Sequence, residues 1–399
     1  MYSIAIDDAD ISSSTTLWDV ATNTGMKALV YHGPMDVRVD DKPKPKIEDP
    51  EDIVLKVTEA AICGSDLHLF HGNFKSMEPG QTLGHEFAGI VEQVGDKVTE
   101  VKEGDRVVIP FNIHCGKCWF CRNDIWSQCD RANPMNDIGG MFGYGQITGG
   151  YDGGQAEYVR VPFANAESIK VPDQLNEEQV LFLSDALCTG YFAADMAEVG
   201  VGDDVAVFGA GPVGYFSTMS AILRGAARVF VIDHWPFRLD RTAKLGAEPI
   251  NFDKEDPVER IRRETRGKGA KCIDAVGYEA VGHHNHEKSS NPAYVPVNSM
   301  QILNWILQSA RKASAVSIAG VYSTEYVNFP LGQFFNRNIQ IKMGQCPVRR
   351  YSDQLLHMIE TGRIDPTQVI SHRMRLDETP KGYQMFDGKA EVHKVVLTS

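Results

Sequence analysis

A chain of 399 residues is longer than one hydrophobic core usually serves, so two domains are expected. Hydrophobic residues make up 43% and charged residues 23%, a balance that excludes wholesale disorder, collagen and a disulfide scaffold. The net charge of −13 repels phosphate backbones, and no apolar run approaches the roughly 18 residues of a bilayer span, so neither nucleic acid nor membrane is an expected partner.

Residues 1–25 hold four Asp and neither Lys nor Arg, which is wrong for a secretory or organellar leader. They read as a polar extension of a cytoplasmic protein. From Met26 to about residue 170 the text is strand-like. Runs such as KALVYHG, DIVLKVTEAAIC, HEFAGIVEQVG, GDRVVIP and AEYVRVP are short, apolar or alternating, and punctuated by Gly and Pro. That pattern predicts a partly closed β-barrel.

Two groups of metal-ligand residues fall inside this region. Cys63 and His85 stand at the ends of apolar runs, one soft and one borderline ligand for zinc. Alone, such a pair is more often packing than chemistry. Cys115, Cys118, Cys121 and Cys129 fall within fifteen residues, with two consecutive C-x-x-C steps. In a cytoplasmic chain that spacing points to metal rather than disulfides. Four thiolates would close a tetrahedron around Zn²⁺ and leave no open position, so this site is expected to be structural.

From about residue 175 the style changes. LNEEQVLFLSDALCTGYFAADMAEVG has helical spacing, and strand-like and helix-like pieces then alternate to about residue 345. Such alternation predicts a doubly wound parallel sheet with helices on both faces. The run VAVFGAGPVG supplies Gly209, Gly211 and Gly214, with Pro212 and Val213 opening the helix. This glycine pattern lets a dinucleotide pyrophosphate approach the backbone at a helix N-terminus. Asp233 ends the next strand, 19 residues beyond Gly214, where a carboxylate accepts from ribose hydroxyls and repels a 2′-phosphate. NAD is therefore expected over NADP, although Arg238, five residues on, would tolerate the phosphate. Residues 278–299 form a long polar insertion after D-A-V-G, placed to act as a lid on the cofactor side. Its His283, His284 and His286 read as a solvated cluster rather than a further metal site.

Taken together, CGSDLH, GHEFAGIVEQVG, GDRVVIP, the four-cysteine lobe, CTGY and GAGPVG resemble the zinc-containing medium-chain dehydrogenase/reductase superfamily. PFNIHCGKCWFC, GGQAEYVRVP and FLSDALCTGY resemble its glutathione-independent formaldehyde dehydrogenase and formaldehyde dismutase branch most. The resemblance implies a GroES-like catalytic domain over 26–185 and 346–399, with a zinc lobe at 112–130, and a Rossmann domain over 186–345. It implies that Cys63, His85 and Asp185 hold a catalytic zinc, with Asp185 rather than the nearby Cys188 as third ligand. It implies further that Asp66 orients His85, that Glu86 lies behind the metal, and that Ser65 and His68 relay a proton. Thr189 would lie against the nicotinamide, Lys394 would contact the pyrophosphate, and Phe111 would line the substrate pocket. The implied protein is a homotetramer with two Zn²⁺ per chain, moving hydride between NAD and a small alcohol or aldehyde. A dismutase that keeps its NAD(H), and a binding protein that has lost the chemistry, are the competing readings.

Overall fold

The computed structural model describes residues 25–74, 76–277, 299–322, 329–388 and 391–399. Most of the N-terminal extension and most of the 278–299 insertion, with its three histidines and the proposed lid, lie outside the described residues.

The alternating half folds into six parallel strands. Their spatial order is Glu248–Asn251, Arg228–Asp233, Asp204–Phe208, Lys271–Asp274, Ala315–Ile318 and Gln340–Met343. Successive side chains of Asp204–Phe208 are buried on opposite faces. Val205 and Val207 pack with Ala193, Ala197 and Ala221 on one side. Ala206 and Phe208 pack with Ile302 and Ile306 on the other. A strand covered on both faces must be apolar throughout, which is why VAVF shows no alternation. The chain runs outward in both directions from Asp204–Phe208, so a crevice opens beyond its carboxyl end.

The earlier half, joined by two C-terminal strands, forms a second, mostly antiparallel sheet in the order His372–Arg375, Val395–Thr398, Ile53–Ile62, Glu86–Val94, Arg106–Ile109 and Ile169–Lys170. One edge of Ile53–Ile62 pairs with Tyr158–Val161 over its first residues and with Val395–Thr398 over its last. Two register shifts against Glu86–Val94 accompany this switch, and bulges of that kind bend a sheet toward a barrel. The terminal strand thus returns to the sheet that carries Cys63 and His85.

The helical run after residue 175 is not one helix. Glu177–Val180 and a tight turn at Leu181–Ser184 precede it, and Ala186–Met196 begins only after a break at Asp185. Helical spacing alone gave no sign of that interruption, and it is what frees the Asp185 side chain for the crevice.

Candidate active site

Cys63 ends the strand Ile53–Ile62 and caps the helix Gly64–Phe70. The Asp66 carboxylate, in the first turn of that helix, accepts the Cys63 backbone N–H at 3.0 Å. Its other oxygen lies 2.9 Å from Nδ1 of His85. The ring is thereby turned so that Nε2 faces Asp185 Oδ2 at 3.3 Å. Asp185 Oδ2 is also 3.8 Å from Cys63 Sγ. The hydroxyl of Thr189 donates to the remaining Asp185 oxygen at 2.6 Å, which fixes the carboxylate's rotation.

Burial opposes a charge on His85, but the Asp66 and Asp185 carboxylates outweigh it and push the imidazole pKa well up. Burial likewise works against ionised Asp185, and His85 overcomes it to hold that pKa down. A group of buried, mutually facing thiol, imidazole and carboxylate donors is the chemistry a divalent cation would satisfy. At ordinary Zn–N and Zn–S bond lengths the donor-to-donor edges of a tetrahedron run about 3.3–3.8 Å. The observed separations match that range, so the residues fit zinc.

Ser65 Oγ lies 3.3 Å from His85 Nε2, at the edge of this donor set. His68 is three residues further along the same helix and lines the same cavity. Two residues three apart share one helix face. Phe111 also lines the cavity, its ring 6.2 Å from that of His85. Sequence reading missed Tyr144, which packs edge-on to His85 at 5.6 Å and donates its hydroxyl to the Ser65 carbonyl at 3.1 Å. No motif marks it, because only the fold brings 144 beside 85.

The cavity continues into the crevice of the parallel sheet. Gly209, Gly211, Pro212, Val213, Asp233, Arg238 and Thr189 line it with Cys63, His85 and Asp185. Gly214 lies behind: a Cβ there would stand 1.9 Å from the Gly209 carbonyl oxygen, so only glycine lets helix and turn meet. The Asp233 carboxylate accepts backbone N–H groups of Ala210 at 2.8 Å, His234 at 2.7 Å and Trp235 at 2.9 Å. It braces the glycine turn as well as facing the crevice. Arg238 is drawn below the usual guanidinium range by its burial, with Asp233 opposing.

Lys394 has a partner that the sequence does not reveal. It is fully buried and is not among the residues lining the crevice. Its ammonium pairs with the equally buried Glu86, which lies against Cys63, His85 and Asp185. Burial would lower its pKa, but the Glu86 carboxylate raises it instead. The reason is topological: pairing of Val395–Thr398 with Ile53–Ile62 carries residue 394 to the base of the sheet end that bears Cys63.

The four lobe cysteines converge as their spacing predicts. Sγ of Cys118 lies 3.4 Å from that of Cys121 and 3.8 Å from that of Cys129, and Cys115 and Cys121 are 4.0 Å apart. Backbone N–H groups point at these sulfurs, among them Cys115 N–H to Cys129 Sγ at 3.3 Å. Such donors favour thiolates.

Residues 49–173 match the family model of the alcohol dehydrogenase GroES-like domain. Over 377 residues the chain is 44% identical to a zinc-type alcohol dehydrogenase-like protein, AdhB, of Bacillus subtilis, covering 93% of this chain and all of that one. The chain belongs to the zinc-type alcohol dehydrogenases of the medium-chain dehydrogenase/reductase superfamily. Among its relatives is a glutathione-independent formaldehyde dehydrogenase of Pseudomonas aeruginosa, 37% identical over 91% of this chain and 95% of that protein. The solved structure of the alcohol dehydrogenase TADH from Thermus sp. ATN1 superposes with a TM-score of 0.82 at 38% identity, covering 94% of this chain and 99% of that one. Its fold is therefore that of the family, a GroES-like barrel domain joined to a Rossmann domain. It is an oxidoreductase of small molecules. Among the described residues no helix is long and apolar enough to cross a membrane.

Proposed function

We propose that this dehydrogenase moves hydride between NAD and a small alcohol or aldehyde, formaldehyde included. One zinc is held by Cys63, His85 and Asp185, and a second by Cys115, Cys118, Cys121 and Cys129. The observation that carries the reading is the donor set at 3.3–3.8 Å, opening into the same cavity as the glycine turn. Zinc there would supply a Lewis acid for a hydroxyl or carbonyl oxygen, and NAD the hydride chemistry.

The chain's own residues do the rest. Asp66 keeps His85 Nε2 directed at the donor set, and Thr189 keeps Asp185 Oδ2 there. The Ser65 hydroxyl takes the substrate's proton at Oγ while giving up its own, which His68, on the same helix and lining the same cavity, passes toward solvent. Phe111 and Tyr144 crowd the approach to His85 with aromatic rings, which favours a short substrate. Asp233 disfavours a 2′-phosphate by like charge in a partly desolvated crevice. A cytoplasmic setting supports the lobe, because reducing conditions keep its thiols available to metal. The proposed assembly is a homotetramer, which sedimentation measures.

Metal analysis combined with a panel of short alcohols and aldehydes, read as NADH absorbance, tests the proposal. Two zinc ions per chain and turnover of a short aldehyde or alcohol are expected. One zinc, or no hydride transfer with any member of the panel, would sink it. Purified protein that carries NAD(H) and converts formaldehyde without added cofactor would favour the dismutase instead.

A further inference from the structure

We propose that Gln155 and Tyr383 are positioning residues of the zinc site, fixing the Asp66 carboxylate that aims His85 at the metal. The inference rests on the reading of Cys63, His85 and Asp185 as that site. Gln155 is completely buried. Its Nε2 donates to Asp66 Oδ2 at 3.2 Å and to the Ala61 carbonyl at 3.0 Å. Its Oε1 accepts the Tyr383 hydroxyl at 2.8 Å. Two acceptors face the nitrogen and a hydroxyl faces the oxygen, so one amide orientation satisfies all three partners. Asp66 is equally constrained, since Oδ1 faces His85 Nδ1 and Oδ2 also accepts the Cys63 N–H. A continuous line of polar contacts therefore runs from the Tyr383 hydroxyl through Gln155 and Asp66 to the imidazole.

The chemistry favours an amide at 155. Cys63, Asp66, Glu86 and Asp185 already crowd acidic groups into one buried region. A neutral donor stabilises the Asp66 carboxylate without adding charge, whereas a carboxylate at 155 would repel it. The backbone is shaped to admit this side chain. Gly84, the residue before His85, has φ +99°, and a Cβ there would stand 2.4 Å from Gln155 Cγ. The Gly84–His85 turn and the run GGQ at 153–155 are thus built against each other, which accounts for a motif that the hydride chemistry leaves unused. Tyr383 arrives from the helix Thr379–Asp387, and its ring packs edge-on to Phe70 at 5.6 Å. The C-terminal segment in this way braces the metal site from outside.

Loss of a partner one step behind a zinc ligand, the place of Asp66, typically costs roughly 10–100-fold in metal affinity or activity, and Gln155, one step further out, is expected at the lower end. Gln155→Met keeps the volume and removes the polar link; Tyr383→Phe keeps the ring and removes only the hydroxyl. Zinc-loaded full-length enzyme is incubated with dipicolinate, and zinc content, kcat, KM and melting temperature are followed. For Gln155→Met one of the two zinc ions should leave roughly tenfold faster and kcat should fall comparably, with KM and the second zinc retained. Tyr383→Phe should shift the same quantities in the same direction by less, and it carries the test alone if Gln155→Met does not fold. Variants that retain both the zinc and kcat of the unmutated enzyme would overturn the inference. So would loss of both zinc ions together with a general drop in melting temperature, the mark of a merely structural role. An unmutated enzyme lacking the exchangeable zinc would instead overturn the metal-site reading, and the inference with it.

Discussion

Asp185 Oδ2 stands 3.3 Å from His85 Nε2, while Cys188, three residues on, turns its thiol back to the Leu183 carbonyl at 3.3 Å. The break before Ala186–Met196 separates the two fates. Asp185→Ala is expected to strip one zinc and lower kcat by about a hundredfold or more, beyond the roughly 10–100-fold that losing a partner behind a ligand costs. Cys188→Ala should keep both zinc ions and most activity, with a stability loss of about 1 kcal/mol for a small buried side chain. Metal analysis beside steady-state assays checks both. The opposite pattern would exchange the two residues' roles.

The four-cysteine lobe predicts a different phenotype. Its donors are filled by protein alone, so Cys115→Ser should lose the second zinc and unfold the lobe. Thermal melts are expected to shift down, and limited proteolysis should cut between residues 112 and 130 before the rest of the chain. A variant that lost one zinc without any change in melting would show that the site is not structural.

Asp233 does two things, which complicates the usual substitution. Alanine would remove both its charge and its three contacts with backbone N–H groups. Asp233→Asn keeps one acceptor oxygen and removes the charge. It should weaken NAD and raise the NADP-to-NAD ratio of kcat/KM roughly tenfold, about 1.4 kcal/mol. An unmutated enzyme that already prefers NADP would refute the charge argument.

Glu86 and Lys394 form an ion pair with no exposure on either side. Lys394→Met leaves an uncompensated buried carboxylate, and removal of one such partner costs about 3–5 kcal/mol. Denaturant unfolding should report that loss while the affinity for NAD holds. Unchanged stability with weakened NAD binding would instead support the pyrophosphate contact that the family resemblance implies for Lys394.

Whatever is written within one element or one loop can be read from the residues alone. The four thiols are fifteen residues long from first to last, and GAGPVG spans one strand-to-helix turn, so local spacing already carries their geometry. The β-rich and alternating halves were legible for the same reason, because periodicity reports burial within a single strand or helix. Residue 185 was reached through family resemblance, since spacing offered Asp185 and Cys188 on equal terms. The fold supplies the physical difference between the two, by interrupting a helix whose pattern runs on unbroken. It alone joined residues 66, 155 and 383 and set Lys394 against Glu86. Those contacts depend on antiparallel pairing between segments over three hundred residues apart, Ile53–Ile62 with Val395–Thr398. Pairing at that range is set by how whole sheets close, a property of the assembled core that no local pattern contains.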